Sequence, residues 1–217
     1  MKKTAKRRSR RKRCLLLLAG LLVLEGCGGI EPEKRAFPLA VSVDVEEGEF
    51  LVSYAMANLP LMTGQSKDQE ESGEEQNTGS TFRGKTFDEI RKQYEDSQEY
   101  ELDLGHVKAL VLGETLLQDQ RWREELFEEI EKSPVLGKNL YLFRTQTPSE
   151  VMEQNGKEKD SIGDFLAGFY ENRSGNRNRI PVTLEDFFYV WSNEGRVPEL
   201  PELVCRDGQI FLCGEEE

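Results

Sequence analysis

The chain holds one histidine, His106, in 217 residues, and only four cysteines. A single imidazole excludes a His-rich metal centre. No Gly-x-Ser-x-Gly elbow, His-Glu-x-x-His helix or phosphate-cradling glycine loop is present either. Apolar runs are short. The run at residues 14–24 counts 11, against the roughly 17–25 residues a membrane-spanning helix needs. Positive charge is scarce beyond the first 13 residues, and that shortage argues against nucleic acid, whose binding requires Lys and Arg to neutralise phosphates.

What is present begins at the start. Residues 2–13 carry nine Lys and Arg, the apolar run follows, and Leu24-Glu25-Gly26 then precedes Cys27. A basic segment, a short apolar segment and a small residue before the cut make a secretory signal. The Cys directly after that small residue is the pattern of a bacterial lipoprotein signal, in which Cys27 is acylated and becomes the mature N-terminus. Glu25 departs from the small or apolar residue usual at its position. Arg10-Arg11 resembles a twin-arginine signal, but Lys12 and Arg13 stand where that signal has apolar residues, so the general secretory route is expected.

Removing residues 1–26 takes away nine basic residues and Glu25, so the net charge of −12 becomes −20, with 20 basic and 40 acidic residues left. A domain of that charge has no electrostatic reason to lie on anionic lipid, and the anchor must hold it there. The expected organisation is therefore a signal at 1–26, a lipidated leash at 27–36 and one folded domain at 37–217.

Within the domain, residues 37–45 and 49–58 alternate apolar and polar around Glu46-Glu47-Gly48, predicting an antiparallel hairpin. Residues 63–80 are polar and acidic, predicting a mobile, solvated loop; the alternating ligands and central Gly of a calcium loop are absent. Thr86-Phe-Asp-Glu89 predicts a capping box opening a helix with Phe87, Ile90 and Tyr94 on one face. A buried strand is expected at 107–112. A helix with Trp122, Leu126, Phe127 and Ile130 follows, ending before Ser133-Pro134, then a strand at 139–145. Thr147-Pro148-Ser149-Glu150 predicts another helix start. Further helices are expected with Ile162, Phe165, Leu166 and Phe169 on one face and from Thr183 to Gly195. Asp207-Gly208 predicts a closing hairpin in which Cys205 faces Ile210 and Glu202 faces Cys213. In that register the two cysteines point to opposite sides of the sheet, which favours two thiols over a bridge. Strands and helices so mixed, with hairpins at both ends, predict an α+β fold with a mixed or antiparallel sheet.

Candidate chemistry is thin. His106, between Gly105 and a buried strand, reads as a turn residue rather than a general base. Carboxylates suit solvated helix faces, as in Arg123-Glu124-Glu125, while a glycosidase-like pair is a matter of geometry that the sequence leaves open. Arg173, Arg177 and Arg179 form a local basic patch, read first as an exposed loop. The aromatics from Leu184 to Trp191 read first as core. No catalytic, cofactor or metal residue is expected, and the chain is not expected to be an enzyme; Cys27 is the one site residue.

Several segments, in order, resemble the Ger(x)C family, the lipoprotein C subunits of bacterial spore germinant receptors. The likeness runs from Cys27 through FPLAVSVDVEEGEFLVSYAMANLP and the helix opened by Thr86. It is most specific at LGHVKALVLGE and returns at TLEDFFYVWSNEGRVPELPEL with its closing hairpin. After Cys27 this chain has Gly28-Gly29-Ile30-Glu31-Pro32 where the family often has Trp-Asp. The family's members are usually longer, so the likeness is to the N-terminal part. It implies a non-enzymatic, membrane-anchored receptor subunit or accessory beside polytopic germinant-receptor subunits. The expected place is the outer face of the cytoplasmic membrane, the inner membrane of the spore. It names no germinant. The alternative class is a solute-binding or cell-envelope lipoprotein of vegetative cells.

Overall fold

A two-residue strand, β1 (Arg35–Ala36), leads into a hairpin of β2 (Pro38–Glu46) and β3 (Glu49–Met56). The hairpin closes through Glu47 and Gly48, both at positive φ (54° and 78°), the handedness that a two-residue connection between twisted strands demands. The computed structural model describes residues 34–57, 79–132, 135–155, 161–172 and 180–213. The strands and helices all belong to one unit, Arg35–Glu217.

β4 (Ser80–Gly84) adds antiparallel to β3, with Ser53 facing Thr81 and their hydroxyls 2.8 Å apart. Helix α1 (Phe87–Ser97) starts where Thr86 Oγ1 accepts the Glu89 N–H. The expected box is displaced by one residue, because the Glu89 carboxylate accepts from Lys85 N–H at 2.8 Å. β5 (Glu101–Leu102) pairs parallel with β1. A 3-10 turn (Leu104–His106) then feeds β6 (Ala109–Gly113), whose five residues are all buried. Two helices follow, α2 (Glu114–Gln118) and α3 (Gln120–Lys132), then β7 (Tyr141–Thr145), α4 (Pro148–Met152), α5 (Ile162–Glu171) and α6 (Leu184–Glu194). A last hairpin, β8 (Glu202–Arg206) and β9 (Gln209–Cys213), closes the order.

The sheet runs β4-β3-β2-β6-β7-β8-β9. Its centre, β2-β6-β7-β8, is parallel, and antiparallel hairpins form both edges. The fold is α+β with a mixed sheet. Because side chains alternate along a strand, each strand feeds two cores. On one face Val41, Val43, Phe50, Leu112 and Leu142 meet α1, α2, α3 and α6. On the other, Ala40, Ala55, Ala109, Val111 and Phe143 meet α4 and α5. The second face is built of small residues beside β2, so a helix approaches its backbone closely. At Gly163 of α5 an added Cβ would overlap the carbonyl of Leu39.

Beyond the displaced box and the unforeseen β5 and α2, three features differ from expectation. Ser80, assigned to the acidic loop, belongs to β4, whose run STFRG is too short and polar to carry a strand period of its own. Arg35 and Ala36, assigned to the leash, are paired strand residues. At α4, Thr147 caps without a side-chain bond, although Pro148 does occupy the first turn. Of the rest of the 63–80 segment, residues 63–78 lie outside the described residues. The closing hairpin has the expected register, Cys205 with Ile210 and Glu202 with Cys213, around Asp207 and Gly208 at positive φ.

Candidate functional site

The expected site residue, Cys27, lies outside the described residues, as do Arg173, Arg177 and Arg179. What the structure shows of this end of the chain is how it enters the domain. β1 lies beside β5, and the Asp103 N–H donates to the Ala36 carbonyl at 2.9 Å. Arg35 Nη1 donates to Asp103 Oδ2 at 2.8 Å, and Asp103 Oδ1 accepts the Gly105 N–H at 3.0 Å. The Gly105 N–H, followed by the Arg35 guanidinium, holds the Asp103 carboxyl below the usual carboxylate range. One carboxylate therefore ties the first strand to the 3-10 turn.

A carboxyl with a depressed folded pKa contributes stability that is complete above its unfolded value, about 3.9, and lost as pH falls through the folded value. Asp103→Asn is expected to lower stability by about 1 kcal/mol at pH 7, the scale of a partly exposed ion pair with one added hydrogen bond. Urea midpoints of the variant and parent should converge as pH falls below about 4. A deficit equal at pH 3 and pH 7 would show that shape, not charge, is what Asp103 supplies.

His106 closes the same turn. It is exposed, and its ring meets Phe37, the residue before β2, edge-on at 4.9 Å, as a turn residue would. The aromatics of α6 are mostly core: Leu184 and Phe187 are buried, Phe188 and Trp191 pack on Phe127, and only Tyr189 stands out, at 68% exposure. Cys205 and Cys213 are free thiols on opposite sides of the sheet. Burial, then Glu150 and Glu153, pushes the Cys205 thiol up, so little thiolate is available for nucleophilic chemistry there.

Two charged groups near the ends of the parallel strands escaped the sequence reading. Asp44 at the end of β2 lies over Gly113 of β6, where an added Cβ would fall on its carboxylate. It accepts the Leu116 N–H at 3.0 Å and so caps α2 from a distant strand. Burial pushes its carboxyl up, and N–H donation from Val45 and Leu116 opposes that. Arg144 of β7 reaches Glu202 at 2.9 Å, Glu114 at 3.5 Å and the Leu200 carbonyl at 3.2 Å. β7 and β8 share one register pair, Arg144 with Glu202, so this fork reinforces the thinnest seam in the sheet. Both groups are engaged in holding elements together. A separation of 72 residues, as between Asp44 and Leu116, leaves no local signal by which a sequence reading finds them.

Among the described residues no group of three or more His, Cys, Asp or Glu is placed to hold a metal ion, and no helix is long and apolar enough to cross a membrane. No curated protein and no solved structure matches the chain. A family model described as the spore germination protein N-terminal domain matches residues 29–204. That span takes in the entry strand β1, both faces of the sheet and all six described helices. With most of its length matched, the chain belongs to the Ger(x)C family of spore germination proteins, carries that family's N-terminal domain, and has a role in germination.

Proposed function

We propose that this chain is a lipoprotein subunit or accessory of a germinant receptor, held by acylated Cys27 at the outer face of the cytoplasmic membrane, which becomes the inner membrane of the spore. It works there without catalysis, through contacts with polytopic receptor subunits. The observation that carries the reading is the family match over residues 29–204, which starts two residues after Cys27. Three further observations support it. The basic and apolar segments before Cys27 have the order of a lipoprotein signal. The mature charge of −20 gives the domain little affinity of its own for anionic lipid. Residues 28–34 span at most about 25 Å when extended, which keeps a domain that starts at Arg35 close to the bilayer.

Cys27→Ala is expected to move the protein from the membrane fraction to the soluble fraction and to abolish incorporation of radiolabelled palmitate, with a corresponding loss of germination response. Retention of the variant in the membrane fraction, resistant to high salt, would overturn the anchor. A soluble variant that still supports full germination would overturn the need for one.

A further inference from the structure

The face of the sheet that carries β2, β3 and β6 is not filled by the helices above it. Its floor there is Val41, Val43, Val52 and Leu110, three of them valines whose short side chains leave room a Leu or Phe would occupy. Two helices cross this floor. α1 buries only Ile90 and Tyr94, and α3 brings Leu126 and Ile130 down from the other side. Between them lies a recess of about 120 Å³, partly open to solvent, with a mostly apolar lining. Tyr54 shares the floor, its hydroxyl pushed up to about 12 chiefly by burial, so it is a neutral phenol at any ordinary pH.

Two charged side chains also line the cavity, Arg91 of α1 and Glu129 of α3. They meet at 3.0 Å and join the two helices. The other terminal nitrogen of Arg91, Nη1, is taken by Asp88, also at 3.0 Å. The guanidinium thus has a carboxylate on each side, and the Glu129 carboxylate has its cation. A charged ligand in this mostly apolar recess would lose hydration without meeting a free counter-charge, since the Arg91–Glu129 pair is already made and its Arg91 end is largely exposed. An uncharged one needs no counter-charge from either side chain. An engineered apolar cavity of about 150 Å³ takes up benzene, so a volume slightly smaller suits a compact body of about six non-hydrogen atoms.

We infer that the cavity between the sheet and helices α1 and α3 is a binding site for a small, uncharged apolar molecule, with the Arg91–Glu129 pair bridging the helices beside it. The site is independent of Cys27 and of any receptor partner, so its failure would leave the anchoring proposal standing.

Benzene titrated into the purified full-length chain is expected to raise Tm progressively with concentration and to shift the methyl resonances of Val43, Val52, Leu126 and Ile130 together to saturation. Butyrate and butylamine, charged bodies of similar size, should leave those resonances in place. Val52→Phe, which fills the floor, should abolish the benzene response. Leu126→Phe fills the same space from the helix side and serves if the first variant does not fold. Absence of a saturable methyl response to benzene would overturn the site, as would an undiminished response in a folded, filled variant. An equal response to the charged probes would overturn the assignment of an uncharged ligand.

Discussion

Gly163→Ala is expected to destabilise the protein by about 3 kcal/mol, although Gly to Ala within a helix ordinarily stabilises by up to about 1 kcal/mol. The sign is decided by what the new methyl group meets. A Cβ on Gly163 would overlap the carbonyl carbon and oxygen of Leu39 and come within 2.6 Å of its Cβ. Backbone cannot rotate away as a long side chain does. The Leu39 carbonyl also accepts the Lys108 N–H at 2.8 Å, so it is fixed between β2 and the residue before β6.

The helix is held from its own side as well. The Ile162 N–H donates to Asn155 Oδ1 at 2.9 Å, Asn155 donates to the Met56 carbonyl at 3.2 Å, and Lys108 pairs with Asp164. Relief of the overlap therefore requires α5 to lift from the sheet, exposing Ile162 and Leu166, both fully buried. Urea unfolding with an unchanged m-value and a lower midpoint is the expected reading. A midpoint raised by the substitution would show that α5 does not lie on β2 at this position.

Phe127→Ala is expected to cost about 3–5 kcal/mol, the range for removing a large aromatic from a core that cannot fully collapse. Phe127 of α3 is 2% exposed, and its ring lies 4.2 Å from Phe187 and 5.4 Å from Trp191 of α6. Those rings join a helix that follows β6 to one that precedes β8, so the loss is felt on both. Trp191 fluorescence should shift to longer wavelength at a denaturant concentration where the parent is still folded. In the double variant Phe127→Ala/Phe187→Ala the two costs should fall short of adding by about 1 kcal/mol, because each ring is part of the other's environment. Strict additivity would mean that the rings do not share a packing unit.

The two glycines show why parts of this fold are illegible in a linear reading. Gly113 and Gly163 sit in ordinary strand and helix positions, and neither is needed for a positive φ. Their requirement comes from partners far along the chain, the Asp44 carboxylate over one and the Leu39 carbonyl against the other. The cavity is hidden for the same reason. Valine is a good strand former anywhere, and only the spacing of α1 and α3 above the sheet turns three valines into a recess.

Local chemistry, by contrast, was decided by local residues. The alternation in β2 and β3 specified a hairpin, and the Asp207-Gly208 pair specified a turn whose register puts Cys205 and Cys213 on opposite faces. Thr183 announced α6, where the box is complete: its hydroxyl accepts the Asp186 N–H at 3.2 Å and the Asp186 carboxylate accepts the Thr183 N–H at 3.0 Å. The apolar stripes named the inward faces of α1, α3, α5 and α6. In each case the deciding signal is local, a turn, a cap or a short period, over which propensity and period speak directly.

The sequence by itself therefore determined the longer elements, though not β1, β4, β5 or α2, together with the α+β class, the closing register and the acidic character of the domain. It also carried the family resemblance, because segment order is a property of the chain. Tertiary structure alone decided that, of the described helices, two lie on one side of the sheet and four on the other. It alone tied the entering strand to Asp103 and set Arg144 across the β7–β8 seam. Those outcomes depend on contacts between residues tens of positions apart, whose free energy exists only once the chain has closed the loops between them.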